Sequence, residues 1–162
     1  MSAVQTSQAG GKPSVLVVDD SRVIRVSVKR ALESDYTLLE AEDGEKGLAS
    51  AQHQKPDLVI SDINMPNLDG YGLICQLRAQ EDIGNVPIIV VTSAEEDIVR
   101  ERAYACGANA FILKPFDPDQ LRDTVQKHLN DHDASLAELD SMYGDAIEDV
   151  VATDVVIPED NA

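Results

Sequence analysis

Residues Ser14 to Arg22 read SVLVVDDSR. A run of Val and Leu with no polar interruption is what a strand covered on both faces requires. It ends in two adjacent carboxylates, Asp19 and Asp20. An acid pair at the mouth of a buried strand is costly unless a cation or a proton offsets it. The same form recurs downstream in YTLLEA (36–41), DLVIS (57–61), VPIIVV (86–91) and AFIL (110–113). Segments of helical period separate these runs. SRVIRVSVKRALES places Val23, Ile24, Val28, Ala31 and Leu32 on one stripe, and DGEKGLASAQ, DGYGLICQLRA, EEDIVRERAYACG and DPDQLRDTVQKHLN follow. Asp43 and Asp117 suit helix N-caps, and Gly107 suits a helix stop. Strict strand–helix alternation predicts an α/β domain with a parallel sheet.

Ligands of such sheets bind outside the carboxyl ends of the strands. The residues there form a coherent set: Asp19 and Asp20 after the first strand, Asp62 after the third, Thr92 and Ser93 after the fourth, and Lys114-Pro115 after the fifth. Glu42, after the second, has no evident part. Three crowded carboxylates need either a proton on one of them or a cation, and hard oxygen ligands with room for water suit Mg²⁺, with Mn²⁺ as a substitute. A carboxylate in that setting can act as a nucleophile toward phosphorus, while a lysine and a hydroxyl stabilise the phosphoryl oxygens. The plainer reading of Asp19 and Asp20 is a helix cap ahead of Ser21, and that of Thr92 a cap for the helix near Glu95.

Taken together, VLVVDDSR, DLVISDINMPNLDGY, PIIVVTSA and GANAFILKPF closely resemble the receiver domain of bacterial two-component response regulators, of the stand-alone, chemotaxis-regulator type. The resemblance covers residues 14–130. It implies a flavodoxin-like five-stranded parallel sheet in the order 2-1-3-4-5 with helices on both faces. It implies Asp62 as phosphoacceptor and Asp19, Asp20, Asp62 and the backbone carbonyl of Asn64 as Mg²⁺ ligands. Thr92 and Lys114 would contact the phosphoryl group. Thr92 and Phe111 would form the switch, although a buried Phe111 is also read, with less weight, as ordinary core. The Lys114–Pro115 peptide would be cis. The phosphoryl donor would be a histidine kinase or a phosphotransfer protein, and the output a contact with a protein target.

The net charge of −17 argues against nucleic-acid and anionic-membrane partners. No apolar run approaches the roughly 20 residues of a membrane span, so the expected location is cytoplasmic. Residues 1–13 read as a flexible leader. Residues 131–162 carry ten acids and no Lys or Arg, which sets them apart as an acidic extension and makes a DNA-binding output in them unexpected. A capping box at SLAE (135–138) and apolar steps from Leu136 to Val151 predict a separate amphipathic helix over 136–151. That helix would fold back, dock in a partner or pair in a homodimer. His128 and His132 beside Asp131 and Asp133 read as a solvated helix end rather than a metal site. Cys75 and Cys106, with no C-x-x-C spacing, read as small core residues in a reducing compartment.

Two rivals remain. One is a phosphate sink or a receiver-like binding module that is never phosphorylated. The other is a Mg²⁺-dependent phosphohydrolase, whose D-x-D on the first strand is absent here.

Overall fold

The computed structural model describes residues 11–143. The residues divide into a sheet-bearing unit up to Leu129 and a second unit from Asn130. The order of elements is β1 (Ser14–Val18), α1 (Arg22–Leu32), β2 (Thr37–Ala41), α2 (Gly44–Gln54), β3 (Leu58–Ser61), α3 (Gly70–Arg78), β4 (Ile88–Thr92), α4 (Asp97–Cys106), β5 (Ala110–Leu113) and α5 (Pro118–Tyr143). The strands form one parallel sheet in the order β2-β1-β3-β4-β5.

The period-two alternation of β side chains divides the core cleanly in two. Leu16, Val18, Val59, Ile88 and Val90 face one way, onto Ala51, Leu73, Ile74, Leu77 and Ala103 of α2, α3 and α4. Val15, Val17, Leu58, Ile60, Ile89 and Val91 face the other way, onto Val28, Ala31 and Leu32 of α1 and Leu121 and Val125 of α5. This partition follows from right-handed crossovers. The step from β1 to β2 runs in one direction and every later step in the other, so α1 lies opposite α2, α3 and α4. Every fully buried Val, Leu or Ile contributes about 1.5–3 kcal/mol, which is why unbroken apolar runs read as strands here.

Three helix starts are capped as the residue types dictate. Ser21, Asp43 and Asp69 accept main-chain N–H bonds from Ile24, Lys46 and Gly72 at 3.3, 2.8 and 2.9 Å. Gly107 ends α4 at φ 122°, a left-handed conformation that glycine takes without strain. The expected α1 stripe is narrower than its pattern suggested. Val28, Ala31 and Leu32 are buried, but Val23 is 72% exposed. One residue before Ile24 is a 100° turn, enough to carry Val23 off the core side.

The helix expected to end near Asn130 runs on to Tyr143 without a fresh start at Ser135. No Gly or Pro stands between Leu129 and Ser135 to stop it. Leu136 within it is exposed. The remainder of the expected 136–151 helix, and the leader before residue 11, lie outside the described residues. Among the described residues no helix is long and apolar enough to cross a membrane.

Candidate active site

The chain winds outward in opposite senses from β1, so the ends of β1 and β3 form the crevice where α/β sheets take ligands. Asp19 follows β1 and Asp62 follows β3. Their backbones are locked to the sheet: Asp62 N donates to Val18 O at 3.0 Å and Asp19 N to Ala41 O at 3.1 Å. Both carboxylates are buried, at 2% and 7% exposure, while Asp20 is exposed.

Lys114 reaches into this crevice from the end of β5. Its Nζ lies 2.8 Å from Asp62 Oδ2 and 2.9 Å from Asp19 Oδ2, so one ammonium bridges two buried acids. The lysine is placed by its own backbone, whose N–H donates to Thr92 O at 2.8 Å. The following Lys114–Pro115 peptide is cis. The other oxygen of each acid is also engaged. Asp62 Oδ1 accepts from Ile63 N at 2.6 Å and Asp19 Oδ1 from Ser21 N at 2.9 Å.

Burial pushes the Asp19 carboxyl above its ordinary range. The Ser21 N–H and Lys114 oppose that shift and the Asp62 charge adds to it. Burial alone would lower the Lys114 ammonium, but its bonds to Asp62 and Asp19 outweigh burial and raise it. The crevice therefore holds its lysine charged and one of its acids reluctant to ionise.

One carboxylate oxygen from each of Asp19, Asp20 and Asp62 can be chosen so that all lie within 4.8 Å of one another. It is the only such acid or thiol–imidazole cluster among the described residues. The donors are all hard oxygens, and the exposed Asp20 leaves one side open to water. This fits Mg²⁺, which takes one or two carboxylates and keeps several waters.

The other residues singled out by sequence sit around this point. Thr92 is fully buried at the end of β4, its hydroxyl accepting from Ala94 N at 3.4 Å. Asn64 is exposed in the loop after β3. Phe111, on β5, is half-buried against the α2–α4 side of the core, with the Arg100 guanidinium 4.8 Å from its ring centre. Glu42 lies outside the acid cluster and pairs with Lys46.

Two supports escaped the sequence reading. Arg25 donates to Asp19 O at 2.7 Å and pairs with Glu40 at 3.0 Å, pinning the strand end that carries the acid pair. The signal was its position one helical turn after the Ser21 cap. The second is the loop after Asp62. Asn67, at φ 71°, donates from its amide to Asp43 Oδ2 at 2.9 Å, and Gly70 N donates to Ile63 O at 2.7 Å. Asp43 thus caps α2 and anchors the loop at once, and the N–H of Lys46, with help from Asn67, holds its carboxyl below the usual range.

Comparison with known proteins agrees with this geometry. The sequence model of the response regulator receiver domain matches residues 15–126, and the chain belongs to that family. It is 37% identical over 124 residues to response regulator Rre1 of Synechocystis sp., covering 75% of this chain and 54% of that one. The chain spans about half the length, or less, of the curated relatives it matches. Among solved structures, the chemotaxis protein CheY4 of Vibrio cholerae superposes with a TM-score of 0.69 at 35% identity, covering 72% of this chain and 98% of that one. The receiver domain of the sensor histidine kinase PA1611 from Pseudomonas aeruginosa, solved with magnesium coordinated in its active-site cleft, gives 0.70 at 30% identity, covering 74% and 99%. Receiver domains accept phosphate in two-component signalling, bind Mg²⁺ at an acidic pocket, and meet histidine kinases and phosphotransfer proteins.

Proposed function

We propose that Asp62 is the residue phosphorylated, with a phosphohistidine of a kinase or phosphotransfer protein as donor. The observation that carries this reading is the Lys114 ammonium held between Asp62 and Asp19 beside the exposed Asp20. An Asp62 carboxylate oxygen forms the new bond to phosphorus. The P–N bond of the donor breaks, its electron pair stays on the imidazole nitrogen, and a proton from solvent restores the neutral ring. The product is a mixed anhydride between aspartate and phosphate.

Asp19, Asp20, Asp62 and the Asn64 carbonyl would hold Mg²⁺, whose charge offsets that of the phosphoryl oxygens. Lys114 is already within 2.8 Å of Asp62, so it meets the incoming group without rearranging the backbone. The Thr92 hydroxyl donates to a second phosphoryl oxygen. Drawing Thr92 toward the phosphate opens space behind it on the β4–β5 side. Phe111 follows into that space and leaves Arg100, so the surface of α4 and β5 changes and a protein target reads the change. Residues 131–162 carry no Lys or Arg, so this segment is suited to protein contact rather than to nucleic-acid phosphate.

Intact-mass measurement after incubation with Mg²⁺ and a small acyl phosphate tests the assignment. The wild type gains one phosphate, and Asp62→Asn gains none. An adduct of equal yield on Asp62→Asn would assign the chemistry elsewhere.

A further inference from the structure

Cys75 and Cys106 lie far apart in sequence and were expected in the core. Instead Cys75 is exposed and Cys106 only half-buried. The fold also brings them together. Cys75 sits on α3, and Cys106 is the last residue of α4, the helix packed beside it.

Two contacts bracket the thiols along this seam. One turn before them, the Arg102 guanidinium of α4 lies 4.0 Å from the ring centre of Tyr71 on α3. Immediately after them, Arg78 of α3 donates from Nε and Nη2 to Gly107 O at 3.1 and 2.8 Å. Tyr71 and Cys75 are four residues apart on α3, as are Arg102 and Cys106 on α4, so each pair shares a helix face. Between these two contacts Cys75 and Cys106 lie at the same level of the seam, one on each of the two packed helices. Arg78 also donates to Gly84 O, Val86 O and Asn109 Oδ1 at 2.9, 2.6 and 2.9 Å, which fixes the seam in place.

We propose that Cys75 and Cys106 form a peroxide-responsive modification site that closes to a reversible disulfide between α3 and α4. The two sulfurs play different parts. Burial, together with the neighbouring Cys75, keeps the Cys106 thiol protonated. Cys75 is the one open to solvent, so oxidation starts there. The Cys75 sulfur attacks one oxygen of a hydroperoxide, the O–O bond breaks and one water leaves, giving a sulfenic acid. The Cys106 sulfur then attacks the Cys75 sulfur and gives up its proton to the departing hydroxyl, so the S–O bond breaks and a second water leaves. Two thiols are oxidised and one hydrogen peroxide is reduced to two waters. An external dithiol reverses the bridge by exchange. A disulfide of this kind in a reducing compartment is transient, as intracellular redox sites are. The bridge ties the C-terminal end of α4 to the body of the domain.

The test treats the full chain with hydrogen peroxide and reads its non-reduced intact mass and peptide map. The expected result is a monomer lighter by two hydrogen atoms, with the Cys75 and Cys106 peptides joined, and full reversal by dithiothreitol. Cys106→Ser should lose the bridge and leave a Cys75 sulfenic acid that dimedone traps. Cys75→Ser should lose both the bridge and the trapped adduct. A covalent dimer through Cys75, or a wild-type Cys75 oxidised to sulfinic acid beside an unmodified Cys106, would overturn the proposal. The wild-type mass decides the matter even if a variant folds poorly.

Discussion

Replacing Lys114 with Met keeps most of the apolar stem and removes the one cation held between Asp19 and Asp62. In the wild type its Nζ is 2.8 and 2.9 Å from these acids, and the three side chains are only 14%, 9% and 3% exposed for Lys114, Asp62 and Asp19. Deleting one partner of a buried ion pair costs about 3–5 kcal/mol, because the remaining charge is left without compensation. The crevice opens to water on the Asp20 side, so the lower end applies, about 3 kcal/mol at pH 7 without metal. Acid should shrink this deficit. The folded Asp19 carboxyl titrates above the ordinary 3.8, so between those values the folded state binds more protons than the unfolded chain. Stability therefore rises as pH falls through that window. Losing the ammonium removes two of the influences that lower the Asp19 value, so the slope steepens in Lys114→Met. Urea unfolding with excess chelator, from pH 7 down to pH 5, reads both effects. A variant as stable as wild type at pH 7, or one whose deficit grows on acidification, would show that the lysine does not neutralise these acids. Mg²⁺ should return part of the lost stability, since a divalent cation can take over the role of the missing charge.

Gly70→Ala should destabilise by about 3 kcal/mol or more, at or above the top of the usual overpacking range. A Cβ there would lie 2.2 Å from Asp62 O and 2.7 Å from Ile63 Cα, and thermal melting reads the loss. Mg²⁺ affinity by titration calorimetry should fall with it, because the clash falls on the backbone that carries Asp62. Arg78→Lys should cost about 2–3 kcal/mol in urea, comparable to one or two hydrogen bonds from a charged donor. A single ammonium cannot reproduce the fork that reaches Gly84, Val86, Gly107 and Asn109.

Much of this architecture was legible because parallel strands buried on both faces leave an unambiguous mark, and because ligands collect where those strands end. Val15 to Val18 and Ile88 to Val91 could hardly be anything else in a chain of this length. What escaped notice depends on rotation about helices and on contacts between distant elements. Val23 was placed on the core stripe although one residue turns it to solvent. Arg25 reaches Asp19 O only because the Ser21 cap sets where α1 begins. The two cysteines were read singly, and only the packing of α3 against α4 pairs them. The C-terminal helix is present as expected, but it continues the one before it. A capping box at Ser135 can start a helix, but without a Gly or Pro before it nothing ended the one already under way.

The acid pair at the end of β1 is best understood as two residues under opposite constraints. Asp19 is buried, bonded to Ser21 N and Lys114, and resists ionisation; Asp20 is exposed and carries none of those bonds. A cation binding among Asp19, Asp20 and Asp62 must compete with Lys114 for Asp19 and Asp62, but meets no such competitor at Asp20. Metal affinity should therefore depend most steeply on Asp20, and stability in the presence of chelator on Lys114. Adjacency in sequence gives the pair one strand end. Burial gives its members separate work, with the inner acid facing the lysine and the outer one facing what arrives from solvent.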